Sequence, residues 1–202
     1  MPDEGSPLNE KRLLRGLQRR EEAAFNVLVV QHQGQIYNVC YRMLGNAAEA
    51  EDVAQDVFIK SFQAIDSFRG DSALGTWLYR IAVNLCKNRL KYLGRRHYRQ
   101  NAAIEDVQEG SFAPESSGRV TGEPVGRPDE ILEGNRAESR IQRALAQIEP
   151  AFRELLVLRD VQGLSYAEVV DITGLAEGTV KSRLHRARAA LQRAYEAQED
   201  LR

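Results

Sequence analysis

The chain has 202 residues, a net charge of −1, 43% hydrophobic and 28% charged residues. It holds enough apolar material to bury one large core or two small ones. No apolar run approaches the ~20 residues of a membrane span, and the acidic start "MPDEGSPLNEKRLL" is unlike a secretory signal.

The first block, from about Leu8 to Tyr98, reads as helical. Phe25, Leu28, Val29, Ile36, Val39, Cys40, Met43 and Leu44 recur at three- and four-residue steps. Gly45-Asn46 then breaks the pattern. Val53, Ala54, Val57, Phe58, Phe62 and Ile65 form a second apolar stripe, and Trp77, Leu78, Ile81, Ala82 and Leu85 a third. Neither Cys40 nor Cys86 has a Cys or His at metal-ligand spacing. Both are expected to be small buried hydrophobes in a reducing cytosol.

The helix "AAEAEDVAQDVFIKSF" places Glu49, Asp52 and Asp56 at i, i+3 and i+7, on one face. A carboxylate metal site, a face for a basic partner and plain solvated charge compete for this pattern. A metal site needs carboxylates from a second element, and no second cluster has comparable spacing. The partner face is therefore favoured.

Beyond it lies "RGDSALGTWLYRIAVNLCKNRLKYLGRR". In an intracellular protein the Arg69-Gly70-Asp71 triplet loses its context as an adhesion signal. From Ser72 to Ala103 there are seven bases and no acid, with Phe68, Trp77, Tyr79, Tyr92 and Tyr98 within or beside them. Aromatics interleaved with cations suit an unpaired strand, whose bases stack while its phosphates follow the charge. Asn84 and Asn88 share a helix face and can read a base edge. The loop from Arg69 to Ala73 can take a flipped base, because Gly70 permits close backbone approach. Trp77 divides evenly between core and contact. Tyr79 and Arg80 lie off the apolar stripe and are better contact candidates.

The second block, Ile104 to about Arg136, has no sustained period, carries Pro114, Pro124 and Pro128, and holds more acids than bases. It reads as a flexible acidic linker.

The third block, about Ala137 to Tyr195, is helical again. Pro150 suits a first helical turn. Ser165 and Glu168 form a capping box. Gly174 ends that helix, and another begins near Glu177-Gly178-Thr179. Two helices joined by a short Gly-containing turn make a helix-turn-helix. From Gly178 to Arg193 there are five bases and no acid. Val180, Leu184, Ala187 and Leu191 fall on the opposite face. One face can pack while Thr179, Lys181, Ser182, Arg183, Arg186 and Arg188, with His185 among them, meet phosphates and base edges.

Together "EDVAQDVFIKSFQAIDSFRGDSALGTWLYRIAVNLCKNRL" and "GLSYAEVVDITGLAEGTVKSRLHRARAAL" give the chain its resemblance to bacterial sigma factors of the sigma-70 family, extracytoplasmic-function group. The resemblance implies an all-α fold of two helical domains, 1–100 and 137–202, joined by a flexible acidic linker, 101–136, that mimics nucleic acid in the RNA path. It implies a cytoplasmic transcription factor that binds core RNA polymerase and promoter DNA, and that an anti-sigma protein restrains in many relatives. Asp52, Gln55, Asp56 and Phe58 would dock on the clamp of the largest polymerase subunit. Phe68, Arg69, Gly70, Asp71, Ser72, Ala73, Tyr79, Arg80, Asn84, Lys87 and Asn88 would capture the −10 strand. Glu177, Gly178, Thr179, Lys181, Ser182, Arg183, Arg186 and Arg188 would read the −35 duplex. No enzyme activity, cofactor, metal or small-molecule substrate is expected. Two rivals remain at this point: a stand-alone helix-turn-helix regulator, which needs a dimer face for two half-sites, and a carboxylate-metal enzyme.

Overall fold

The computed structural model describes the backbone of residues 7–103 and 128–198, and the side chains of 10–96 and 137–198. The described residues form eight α-helices and no strand. The fold is all-α. The first group comprises α1 (Pro7–Gln18), α2 (Glu22–Leu44), α3 (Ala47–Ala64) and α4 (Leu74–Ala103). The second comprises α5 (Pro128–Gln147), α6 (Pro150–Leu156), α7 (Tyr166–Thr173) and α8 (Glu177–Glu196).

Local chemistry sets the helix ends. The N–H of Gly45 closes α2 on the carbonyl of Tyr41 at 2.8 Å. Asn46 then caps α3, its Oδ1 accepting from the Glu49 N–H at 3.0 Å. Pro150 opens α6 in its first turn. The helix continues through a wider turn, Val157–Val161. Ser165 and Glu168 form the complete reciprocal box that starts α7. Gly174 ends α7 with φ +69°, a left-handed conformation that a Cβ opposes.

In the first group α2, α3 and α4 bury Leu28, Ile36, Val39, Met43, Val53, Val57, Leu78 and Ala82. Cys40 and Cys86, both free and fully buried, sit in this core as expected. A contact with Cys86, then burial, raises the pKa of the Cys40 thiol. In the second group Val180, Leu184 and Ala187 of α8 pack with Leu155, Leu158, Val169 and Ile172.

The apolar residues of both groups run together as one core. The seam between them is polar. Arg153, 6% exposed, donates through Nη1 to the Met43 carbonyl at 2.6 Å and through Nη2 to the Ala146 carbonyl at 2.8 Å. It thereby satisfies carbonyls at the C-terminal ends of α2 and α5, which have no partner inside their own helices. Burial lowers the pKa of its guanidinium. Gln142 Nε2 adds a bond to the Tyr41 carbonyl at 3.0 Å.

Helical backbone extends into both ends of the segment read as linker. α4 continues to Ala103 and α5 begins at Pro128. Pro128 reads as a breaker, yet a proline is tolerated at the start of a helix, where its missing N–H has no partner to lose. The intervening stretch lies outside the described residues, as do Tyr98 and Arg99 as side chains.

Candidate functional site

The loop of residues 68–73 follows a short 3₁₀ turn, Ile65–Ser67, and precedes α4. Phe68 is buried, its ring 4.9 Å from that of Trp77, and Trp77 packs on the core while staying half-buried. Arg69, Gly70, Asp71 and Ala73 are exposed and Ser72 is half-buried. Gly70 has φ +77°, so the loop needs a glycine there. The Leu74 N–H at the start of α4 is held by Glu10 Oε1 of α1 at 2.8 Å.

α4 presents two polar faces. Asn84 and Asn88 are exposed on one of them. Asn84 lines a groove of about 320 Å³ between α3 and α4, with Lys60, Gln63, Ala64, Ile81 and Leu85. The other face carries Thr76, Tyr79, Arg80 and Lys87 and meets the second helical group. Tyr79 Oη donates to Gln162 Oε1 at 3.0 Å and also lies 3.3 Å from Gln35 Oε1. Arg80 pairs with Asp171 of α7. Lys87 Nζ is 2.7 Å from Glu154 Oε1 of α6. Thr76 Oγ1 donates to Glu168 Oε1 at 2.9 Å.

The expectation that Tyr79 is a surface contact residue therefore differs from this conformation, in which only 6% of it is exposed. The reason is tertiary: α7 covers a face that the period of α4 alone leaves open. Burial and the nearby Glu168 carboxylate raise the pKa of its phenol. Glu168 itself is held below the usual carboxylate range, first by the hydroxyl and N–H of Ser165.

On α3, Asp52, Gln55 and Asp56 are exposed. Arg89 of α4 binds Glu49 and reaches Asp52 at 3.5 Å. The Glu49 hydrogen bond is the main reason the Arg89 pKa is raised. Phe58 is half-buried against the core rather than displayed. The exposed apolar side chains of this helix are Ile59 (54%) and Phe62 (42%), which sequence reasoning missed as surface groups. Their signal was present: Asp52, Asp56 and Ile59 lie at i, i+4 and i+7 on the acidic face. Phe62 packs edge-on against Phe25 at 4.6 Å, with Arg20 over its ring.

The helix-turn-helix is α7, the turn of residues 174–176 and α8. Ser182, His185 and Arg186 are exposed, with Thr179 and Arg183 half-exposed beside them. Arg183 has no ion-pair partner among the described residues. Lys181 pairs with Glu177 one turn back at 2.6 Å and lies over the Tyr166 ring, and that pair raises its pKa. Arg188 differs from its neighbours. It makes a two-point bond to Asp160, at 2.9 and 2.7 Å, which pushes its pKa up. That bond ties α8 to the wider turn, Val157–Val161, that continues α6.

Among the described residues no group of three His, Cys, Asp or Glu side chains is placed to hold a metal ion. No described helix is long and apolar enough to cross a membrane.

The fold and this site define an all-helical protein with a C-terminal helix-turn-helix. Residues 28–96 match the model of Sigma-70 region 2, and residues 138–191 that of Sigma-70, region 4. The RNA polymerase sigma-H factor of Pseudomonas aeruginosa is 36% identical, over 92% of this chain and 93% of its own length. The ECF RNA polymerase sigma-E factor of Escherichia coli is 35% identical, over 91% and 93%. The chain belongs to the sigma-70 family, in its extracytoplasmic-function group. Among solved structures, CnrH in complex with the cytosolic domain of CnrY superposes with a TM-score of 0.62 over 93% of this chain and 97% of that one, at 24% identity, a likeness of fold. The sigma factor RpoE in complex with the anti-sigma factor NepR from Bartonella quintana gives 0.61 over 85% and 96%, at 25% identity.

Proposed function

We propose that the chain binds core RNA polymerase and directs it to promoters, with its two helical groups acting as separate reading domains. The observation that carries this is the exposed, acid-free face of α8 around Ser182, Arg183 and Arg186, while Val180, Leu184 and Ala187 anchor the helix behind it. A helix held in this way can enter a major groove, with Arg as the commonest reader of guanine. Arg183 and Arg186 read the −35 duplex there. Lys181 contributes charge toward phosphate, and Arg188 holds the helix in place.

The −10 strand follows the loop of residues 68–73 and the outer face of α4. Asn84 and Asn88 offer amides to base edges there, while Tyr79, Arg80 and Lys87, on the face that packs against the second group in this conformation, offer a ring and two cations once that face is free. Asp52, Gln55 and Asp56 form the acidic dock for polymerase, with Ile59 and Phe62 adding apolar contact. An anti-sigma protein that masks these faces fits the same account, in keeping with the complexes in which relatives have been solved. The chain acts in the cytoplasm as a transcription factor, not as a catalyst.

Permanganate reactivity of unpaired thymines tests this reading. A promoter fragment mixed with core polymerase should show strand opening only when the chain is added. A fragment that is bound but stays fully paired contradicts it.

A further inference from the structure

The loop of residues 68–73 does little to hold its own shape. From Arg69 to Ala73 no side chain makes a hydrogen bond or ion pair among the described residues. Its fixed points come from α1 and the turn that follows α1. Before the loop, Arg20 Nη2 donates to Asp66 Oδ2 at 2.7 Å, and Nη1 reaches the Phe62 carbonyl at 3.4 Å. After the loop, Glu10 Oε1 accepts from the Leu74 N–H at 2.8 Å. That N–H opens α4 and has no partner within its own helix. Midway, a Cβ placed on Gly70 would meet Leu14 Cδ2 at 3.6 Å, so Leu14 of α1 lies against the left-handed glycine of the loop.

α1 is itself firmly seated. Leu17 is fully buried. Gly16 sits so close to α2 that a Cβ there would come within 2.8 Å of the Ala24 Cβ. Arg20 is the one non-glycine residue with a left-handed backbone among the described residues, at φ +59°. Glycine or asparagine would close α1 at less cost. The Arg20 N–H does close it, on the Leu17 carbonyl at 2.9 Å. What arginine adds is reach, to Asp66 and over the Phe62 ring, 5.0 Å from its centroid. An ion pair as exposed as Arg20–Asp66 contributes little to overall stability. Backbone strain kept for a contact that stabilises little points to a role in position.

We propose that α1 braces the strand-capture loop: Arg20 and Glu10 are positioning residues that fix Asp66 and Leu74, the two ends of the loop, so that the loop meets the unpaired strand already shaped. This rests on the assignment of residues 68–73 to the −10 strand. A rigid element that presets a binding loop removes the cost of ordering it at the moment of capture.

The test uses core polymerase with the full chain carrying Glu10→Ala, Glu10→Gln, Arg20→Gly, Arg12→Ala or Gly70→Ala, on one promoter fragment. Hydrogen–deuterium exchange of the amides of residues 66–76 is measured in each chain, beside the rate of strand opening by permanganate reactivity. Glu10→Ala and Arg20→Gly should speed exchange in the loop and slow opening about tenfold, the loss expected if the freed loop holds its shape about one-tenth of the time. Binding of the −35 duplex should not change. Glu10→Gln keeps an acceptor for the Leu74 N–H and should recover most of the rate. Arg12 is exposed on the same helix, and Arg12→Ala should match the unaltered chain. Glycine suits the backbone at Arg20, so Arg20→Gly keeps the test valid if Glu10→Ala does not fold. Gly70→Ala strains the loop directly. If it slows opening while the Glu10→Ala and Arg20→Gly chains open normally, the brace is overturned and the assignment of the loop stands. If Gly70→Ala disturbs exchange in the loop without slowing opening, that assignment fails and the proposal falls with it. Equal loss in Glu10→Gln and Glu10→Ala also overturns the brace.

Discussion

Lys87 of α4 and Glu154 of α6 meet at 2.7 Å, with the carboxylate side chain 6% exposed and the lysine 41%. The pair joins residues 67 positions apart and lies on the seam between the two helical groups. Its asymmetry matters. The lysine reaches water, but the carboxylate depends on the lysine.

Lys87→Ala should therefore cost more stability than its own exposure suggests, because it leaves Glu154 buried without a cation. A loss of about 1 kcal/mol is expected after allowing for the solvent at the lysine, or about 2–4 °C in melting temperature for a chain of this size. Adding Glu154→Gln should restore much of it. A double-mutant cycle on thermal melts checks this, and strictly additive losses would show that the pair is not coupled.

On α8 the arginines should separate by role. Arg186→Ala should cost about 1–3 kcal/mol against the preferred −35 duplex and relax the choice of base. Arg188→Ala should weaken all duplexes alike and lower the melting temperature, since its bond to Asp160 fixes the helix. Fluorescence anisotropy across a panel of single-base duplex variants distinguishes the two. Equal loss of selectivity in both would refute the division.

Asp56 is exposed and makes no ion pair among the described contacts, whereas Asp52 lies near Arg89. Asp56→Arg should reduce core polymerase binding about tenfold or more while leaving the melt unchanged, as a like charge set against a basic partner does. Asp52→Arg should reduce binding and also lower stability by crowding Arg89. Co-elution with core polymerase and parallel melts check both. Unchanged co-elution of the Asp56 variant would remove the docking role of α3.

His32 gives a pH prediction. Burial lowers its pKa from 6.5, outweighing the upward pulls of Gln35 and Glu10. The folded value is the lower one, so the neutral ring contributes its full stability above the unfolded value. That contribution is lost as pH falls from about 6.5 through the folded value. His32→Gln should flatten the stability loss between about pH 7 and 5 in urea titrations. An unaltered slope would mean that His32 does not titrate across unfolding.

Much of this architecture was legible because it is local. Gly45-Asn46, the Ser165–Glu168 box and Gly174 mark helix ends through bonds spanning a few residues, and the buried stripe of α8 follows the helical period. The seam was not legible. Arg153 and Glu154 are charged residues whose burial leans on partners far off in the chain, the Met43 carbonyl for Arg153 and Lys87 for Glu154. The helical period of α4 leaves Tyr79 outside the apolar stripe, and its burial depends on the second group in the same way. Glu168 was recognised as a cap, but its second bond, to Thr76, depends on how the two groups meet. Arg188 looked like one more reader because Asp160 stands 28 positions away.

The most direct measurement of the central claim is run-off transcription with purified core polymerase, the chain and a library of promoter fragments. Initiation that depends on the chain, is lost with Asp56→Arg, and selects fragments sharing one pair of spaced elements is the predicted result. Absence of initiation with duplex binding retained would contradict the account and leave a stand-alone helix-turn-helix regulator.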